Sequence, residues 1–167
     1  LQNGSINRIL KIKYIANKIL KKNVKNKKKF YNEKLIKFDK IYKKNINNIK
    51  LISGIEKYIK KIKRDNNKRI YIVTAAPKKE VIKISKLNKI FKYFDDIYDV
   101  SIKKEKAISK IIREFSDINL DKFIFFGDSS KDFDASKVNK VDFCSLLTNK
   151  FSSLKDKKTF AKINDFK

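Results

Sequence analysis

The chain has 167 residues and a formal net charge of +26, from 44 Lys and Arg against 18 Asp and Glu. It contains no His and a single cysteine, Cys144, which excludes imidazole acid–base catalysis, His metal sites, Ser-His-Asp triads and any internal disulfide. The positive excess is nearly all Lys rather than Arg and travels with Asn and Ile; this is the pattern of AT-rich coding, whereas a phosphate-reading surface is expected to carry bidentate Arg, so a nucleic-acid partner is disfavoured.

Residues 1–50 read as helix with basic faces, carrying sixteen Lys and Arg against two acids, Glu33 and Asp39. Ile9, Ile12, Ile15, Ile19 and Leu20 recur at helical spacing, and Phe30, Leu35, Phe38 and Ile41 start a second stripe after the Lys27-Lys28-Lys29 run. The first stripe is basic and amphipathic like a transit peptide, but a packed helix explains it more simply. Ser53-Gly54-Ile55-Glu56 fits a capping box opening a helix with Ile55, Tyr58, Ile59 and Ile62 on its apolar face. Asp65-Asn66-Asn67 should end that helix in a turn.

Residues 51–167 alternate strands with helices. Arg69 to Thr74 is short, β-branched and almost wholly apolar, as expected of a strand buried on both faces of a parallel sheet. Pro77 suits the first turn of a helix with Val81, Ile84, Leu87 and Phe91 on one stripe. A short strand over Ile97–Val100 precedes a helix carrying Ala107, Ile108, Ile111, Ile112 and Phe115. Phe123-Ile124-Phe125-Phe126 is a second doubly buried strand, ending in Gly127-Asp128. A helix from about Lys131 to Val138, a strand over Val141–Leu146 and an edge strand within Thr159–Phe166 complete the pattern. The expected fold is therefore α/β, a Rossmann-like parallel sheet with helices on both faces, plus a small helical unit over 1–50. No apolar run reaches the length of a membrane span and no signal-peptide core is present. A cytoplasmic protein with no membrane partner is the expectation.

Ligands bind outside the carboxyl ends of strands in open parallel sheets, and three polar features fall there. Thr74, followed by Ala75-Ala76-Pro77, places a hydroxyl and free helix-entry amides where they suit a phosphate oxygen, or simply cap the turn. Gly127-Asp128-Ser129-Ser130-Lys131-Asp132 places two carboxylates four residues apart, which suits Mg²⁺, or a plain N-cap with an acid at the helix dipole. Lys103-Lys104-Glu105-Lys106 opens a helix and offers a cation for a phosphate, or is one more solvated lysine cluster.

In order and spacing these features resemble the haloacid dehalogenase superfamily, in its phosphoglycolate phosphatase/β-phosphoglucomutase-like branch. The strand Ile70 to Thr74 matches the second motif, Lys104 best fits the third, with Lys103 and Lys106 as alternatives, and Gly127 to Asp132 matches the fourth in full. Ser53-Gly54 and Tyr93-Phe94-Asp95 also fit. The first motif, Asp-x-Asp-x-Thr/Val on the first strand, has no counterpart: no Asp precedes Asp39.

The resemblance implies Mg²⁺-dependent hydrolysis of a small phosphorylated metabolite through an aspartyl phosphate. Asp128 and Asp132 would serve the metal, Thr74 and Ala75 the phosphate, and Lys104 both phosphate and nucleophile. Residues 1–50 would be a helical cap and 51–167 the core. With its first residue Leu1 rather than Met, the chain reads as lacking an upstream strand and nucleophile. A central sheet position would then be open, stability marginal and the chain alone inactive. Three alternatives stand beside this: an inactive homologue of the same fold, a basic nucleic-acid-binding module, and a receiver-like domain, whose spacing fits worse.

Overall fold

The computed structural model describes residues 8–19, 26–115, 117–147 and 154–167. The chain divides into two compact units, Ile6–Lys50 and Leu51–Lys167.

The first unit is helical. Helix α1 (Arg8–Tyr14) continues into a π-helical stretch, Ile15–Ile19, and packs on α2 (Lys27–Asn45). Asn26 opens α2 by accepting the Lys29 amide at 3.0 Å, one of the four N-terminal donors that a helix leaves unpaired. Ala16, Tyr31 and Ile46 are buried. The Arg8 guanidinium lies over Phe38 at 4.5 Å and Tyr42 at 5.0 Å and pairs with Asp39 at 3.4 Å. The expected second stripe is rotated: Ile41 is 56% exposed, while Tyr31 is buried and Leu35 and Tyr42 are half-buried. Tyr31, Leu35 and Tyr42 recur at the 4- and 7-residue spacing of one helix face, from which Ile41 is turned by about 100°. In the first stripe, the Ile19 side chain and Leu20 lie outside the described residues.

The second unit holds the strands. Helix α3 (Ile55–Ile62) leads to β1 (Tyr71–Val73), α4 (Lys78–Leu87), β2 (Asp96–Tyr98), α5 (Lys104–Arg113), β3 (Ile124–Gly127), α6 (Ser130–Asn139), β4 (Asp142–Leu146) and β5 (Ala161–Ile163). Every pairing is parallel, as the alternating pattern requires. Among the described residues the strands pair as two parallel sheets, β1 beside β2, and β3-β4-β5 in that order. The expected double burial changes accordingly. All three residues of β1 are half-buried, and Ile124 of β3 is 45% exposed, because each of these strands has a partner on one side only.

Helix α5 ties the two sheets together. Its Ala107 and Ile111 pack with Tyr98, Tyr71 and Val73 on the β1-β2 side. Its Ile108 packs with Ala135 and Val141, against Phe125. Phe123, entering β3, packs against both clusters. Side chains alternate along a strand, so Phe125 faces α5 and α6 while Phe126 points to the opposite layer, meeting Tyr58 of α3 at 6.0 Å and Phe166 at 5.5 Å.

The expected capping box at Ser53–Glu56 does not form. Gly54 is the N-cap, at φ +79°, with no side-chain cap bond. Glu56 pairs with Lys60 at 2.6 Å, and the Ser53 carbonyl accepts the Phe166 amide at 2.9 Å. A Cβ on Gly54 would run into the Phe166 backbone, and the left-handed conformation alone disfavours an L side chain by about 1–2 kcal/mol. Gly54→Ala is therefore expected to lower stability by about 2 kcal/mol and to release the C-terminal residues. Urea unfolding and faster hydrogen exchange at the Phe166 amide check this; an unchanged Phe166 amide would refute it.

Candidate functional site

Lys104 opens α5 just after β2, Asp132 sits in the first turn of α6 just after β3, and their side chains form an ion pair. The helix entries after β2 and β3 therefore meet, while Thr74 and Asp128 are the residues directly after β1 and β3.

Asp132 is the anchor, only 3% exposed. Burying a carboxylate is costly unless it is paired and hydrogen-bonded, and both of its oxygens are engaged. Oδ1 accepts from Lys104 Nζ. Oδ2 accepts the Ser129 hydroxyl at 2.6 Å and the Ser129 amide at 3.2 Å. The Ser129 Oγ in turn accepts the Asp132 amide at 3.4 Å, closing a capping box at the start of α6. The box expected at residue 53 thus occurs here, where Ser at N-cap and an acid at the third helical position satisfy two orphan donors. Gly127 makes room for it: a Cβ at that position would collide with the Asp132 side chain.

Lys104 has a side chain 16% exposed, while Lys103 and Lys106 are exposed. Of the three candidate lysines, the structure brings Lys104 to the carboxylate. Asp128 is exposed, and its carboxylate makes no hydrogen bond or ion pair with any described residue.

Thr74 extends the β1 ladder, its amide donating to the Tyr98 carbonyl at 2.9 Å. Its Oγ1 accepts the Ala76 amide at 3.1 Å. That hydrogen bond uses a lone pair and leaves the hydroxyl proton to donate elsewhere. Ala75 is half-buried in the bend between the two.

Helix α4 is capped from a neighbouring strand. Pro77 is its N-cap and supplies no side-chain bond. Asp99, just past β2, accepts the Lys78 amide at 2.8 Å, and also the Ser101 hydroxyl at 2.6 Å and amide at 3.1 Å. These bonds, the Ser101 hydroxyl first, hold the Asp99 carboxyl below its ordinary value. A carboxyl lowered in the folded state stabilises above its unfolded pKa, and that contribution is lost as pH falls through the folded value. Asp99→Asn is expected to lose about 1 kcal/mol at pH 7, with the gap from the parent closing in acid below the ordinary carboxylate range. Urea midpoints across pH test this; a gap that widens in acid would refute it.

Among the described residues no group of three His, Cys, Asp or Glu side chains converges on a point. The donor set suits a hard divalent cation that keeps waters and takes only one or two protein carboxylates. Asp128 has an uncommitted carboxylate for direct contact, whereas Asp132, held by Lys104 and Ser129, is placed to act through a water. The residues present therefore fit Mg²⁺.

Among the described residues no helix is long and apolar enough to cross a membrane. No curated protein sequence matches the chain. Residues 7–146 match the family of haloacid dehalogenase-like hydrolases. A predicted phosphoglycolate phosphatase from Haemophilus somnus superposes with a TM-score of 0.77 at 19% identity, over 99% of this chain and 76% of that one. A protein from Clostridium difficile described as a phosphatase superposes with a TM-score of 0.75 at 18% identity, over 91% and 72%. The hydrolase YfnB from Bacillus subtilis, solved bound to magnesium, gives a TM-score of 0.65 at 17% identity, over 98% and 71%.

Proposed function

The chain belongs to the haloacid dehalogenase-like hydrolase family, and on that premise we propose that it forms the phosphate- and metal-handling part of a Mg²⁺-dependent phosphomonoesterase for a small phosphorylated metabolite. The observation that carries this reading is the Lys104–Asp132 ion pair, which joins the helix entries after β2 and β3.

In this reading Thr74 donates its hydroxyl proton to a phosphoryl oxygen, with its Oγ1 held in place by the Ala76 amide. The Ala75 amide, at the turn, offers a second donor. Lys104 supplies positive charge where phosphoryl charge develops, and Asp132 with Ser129 fixes the ammonium in position. Asp128 would hold the metal directly and Asp132 would act through a water. When bound, Mg²⁺ neutralises phosphate charge and orients it.

In this reading the nucleophile would be a carboxylate that the Thr74, Lys104 and Asp128–Asp132 features do not include. Its oxygen would bond to phosphorus as the bond to the leaving alcohol breaks, a second acid would protonate that alcohol, and water would then cleave the acyl phosphate. Residues 1–50 act as a helical cap that selects the substrate.

The reading predicts no turnover by 1–167 alone. The same chain carrying an N-terminal apolar strand ending in Asp-x-Asp is expected to hydrolyse p-nitrophenyl phosphate with Mg²⁺. Hydrolysis by 1–167 alone that Asp128→Ala abolishes would overturn the upstream nucleophile, and an inert extended chain would overturn the phosphatase reading.

A further inference from the structure

Two turns leave the carboxyl ends of β1 and β2. The first, residues 74–78, carries Thr74 and Ala75 from β1 into α4. The second, residues 99–103, leads from β2 to Lys104 at the start of α5. The first turn is fastened at both ends to consecutive residues of the β2 side. The Thr74 amide donates to the Tyr98 carbonyl at 2.9 Å, and the Lys78 amide donates to Asp99 Oδ2 at 2.8 Å. Between these two fastenings Thr74 Oγ1 accepts the Ala76 amide at 3.1 Å. The placement of the hydroxyl therefore depends on the turn staying closed.

The same half-buried carboxylate holds the second turn. Asp99 Oδ1 accepts the Ser101 hydroxyl at 2.6 Å and the Ser101 amide at 3.1 Å. The Asp99 carbonyl accepts the Ile102 amide at 3.2 Å. Ile102 packs against the Tyr98, Ala107 and Ile111 cluster, two residues before Lys104. Each oxygen of Asp99 thus serves a different helix entry. An amide side chain has a single acceptor oxygen and could serve only one of them. Because Pro77 gives α4 no side-chain cap, the Lys78 amide depends on this outside acceptor.

We propose that Asp99 is a positioning residue of the phosphate site: with one oxygen on each turn, it holds the Thr74 hydroxyl and the Ala75 amide in register with Lys104. The proposal rests on the phosphatase reading above, in which those three groups meet one phosphoryl group. Asp99 acts through these groups and not on the substrate. Its negative charge taken alone repels a phosphate, so removing it has two effects of opposite sign. Loss of the charge tightens phosphate binding, whereas loss of the two fastenings weakens it.

The test titrates the full, isotope-labelled 1–167 chain with inorganic phosphate in the presence of Mg²⁺ and follows the Ala75 and Lys104 amides. Saturable binding is expected for the parent. Asp99→Ala should weaken it at least about tenfold, since small misplacements of binding groups are costly, and should speed hydrogen exchange at the Ala76, Lys78 and Ser101 amides. Asp99→Asn, which keeps one arm, should fall between the two. Asp95→Ala is the control. Asp95 accepts the Ile70 amide at 2.7 Å and pairs with Lys63 at 2.9 Å, at the opposite end of the same strands, so its loss should lower stability and leave phosphate affinity unchanged. Binding by Asp99→Ala as tight as the parent's, or tighter, overturns the positioning role and leaves the phosphatase reading standing. An equal loss of affinity in Asp95→Ala also overturns it, because general loosening is then the cause. A parent whose Ala75 and Lys104 amides do not respond to phosphate overturns the phosphatase reading and the proposal with it.

Discussion

Replacing Lys104 with alanine is expected to destabilise the chain by about 3 kcal/mol, at the lower end of what losing one partner of a buried ion pair does. The reason lies in Asp132. Its side chain is 4% exposed, and the Ser129 hydroxyl and amide engage only one of its oxygens. Without Lys104 the other oxygen is left with negative charge and little water. An exposed pair would shift stability by only about 0–1 kcal/mol, so the magnitude separates the two situations. Lys104→Met combined with Asp132→Asn removes both charges and should recover at least half of the loss. Urea unfolding followed by circular dichroism measures all three, since the chain has no Trp. A loss below about 0.5 kcal/mol in Lys104→Ala would show that the pair behaves as a surface contact.

Replacing Asp128 with asparagine is expected to do the reverse: little to stability and much to chemistry. Asp128 is exposed and its carboxylate bonds to no described residue, so its loss should change folding free energy by less than about 0.5 kcal/mol. In the chain extended with a strand ending in Asp-x-Asp, the same change should lower kcat/KM for p-nitrophenyl phosphate at least 100-fold, on the order of what removing one transition-state charge contact does. It should also raise the Mg²⁺ concentration needed for half-maximal rate. Unchanged turnover in Asp128→Asn would remove Asp128 from the metal site. Asp132→Asn, by contrast, should lower stability and rate together, because the same carboxylate caps α6 and holds Lys104.

The different fates of the two capping sequences show how local signals are limited. Ser53-Gly54-Ile55-Glu56 and Ser129-Ser130-Lys131-Asp132 both place Ser three residues before an acid. Only the second closes a box. At the first, Gly54 turns to positive φ and Ser53 gives its carbonyl to the far C-terminus, a partner more than a hundred residues away. Spacing along the chain carries no information about such a partner.

The sequence by itself determined the α/β order and the parallel direction of the strands, because short β-branched runs alternating with amphipathic helices leave few other ways to bury both. It also placed Thr74 and Asp128 directly after strands and Asp132 in the first turn of the helix that follows β3. Only the tertiary structure decided which lysine meets Asp132: Lys103, Lys104 and Lys106 are alike in composition, and the packing of α5 turns just one of them toward α6. Only the tertiary structure, too, showed which edges of the described strands stand open, those of β1 and β3 among them. Hydrophobicity predicts that Tyr71–Val73 and Phe123–Phe126 are buried on both faces, but it is silent about edges. Whether a strand finds a hydrogen-bonding neighbour depends on which other segments lie beside it, and between β1 and β3 no described segment does.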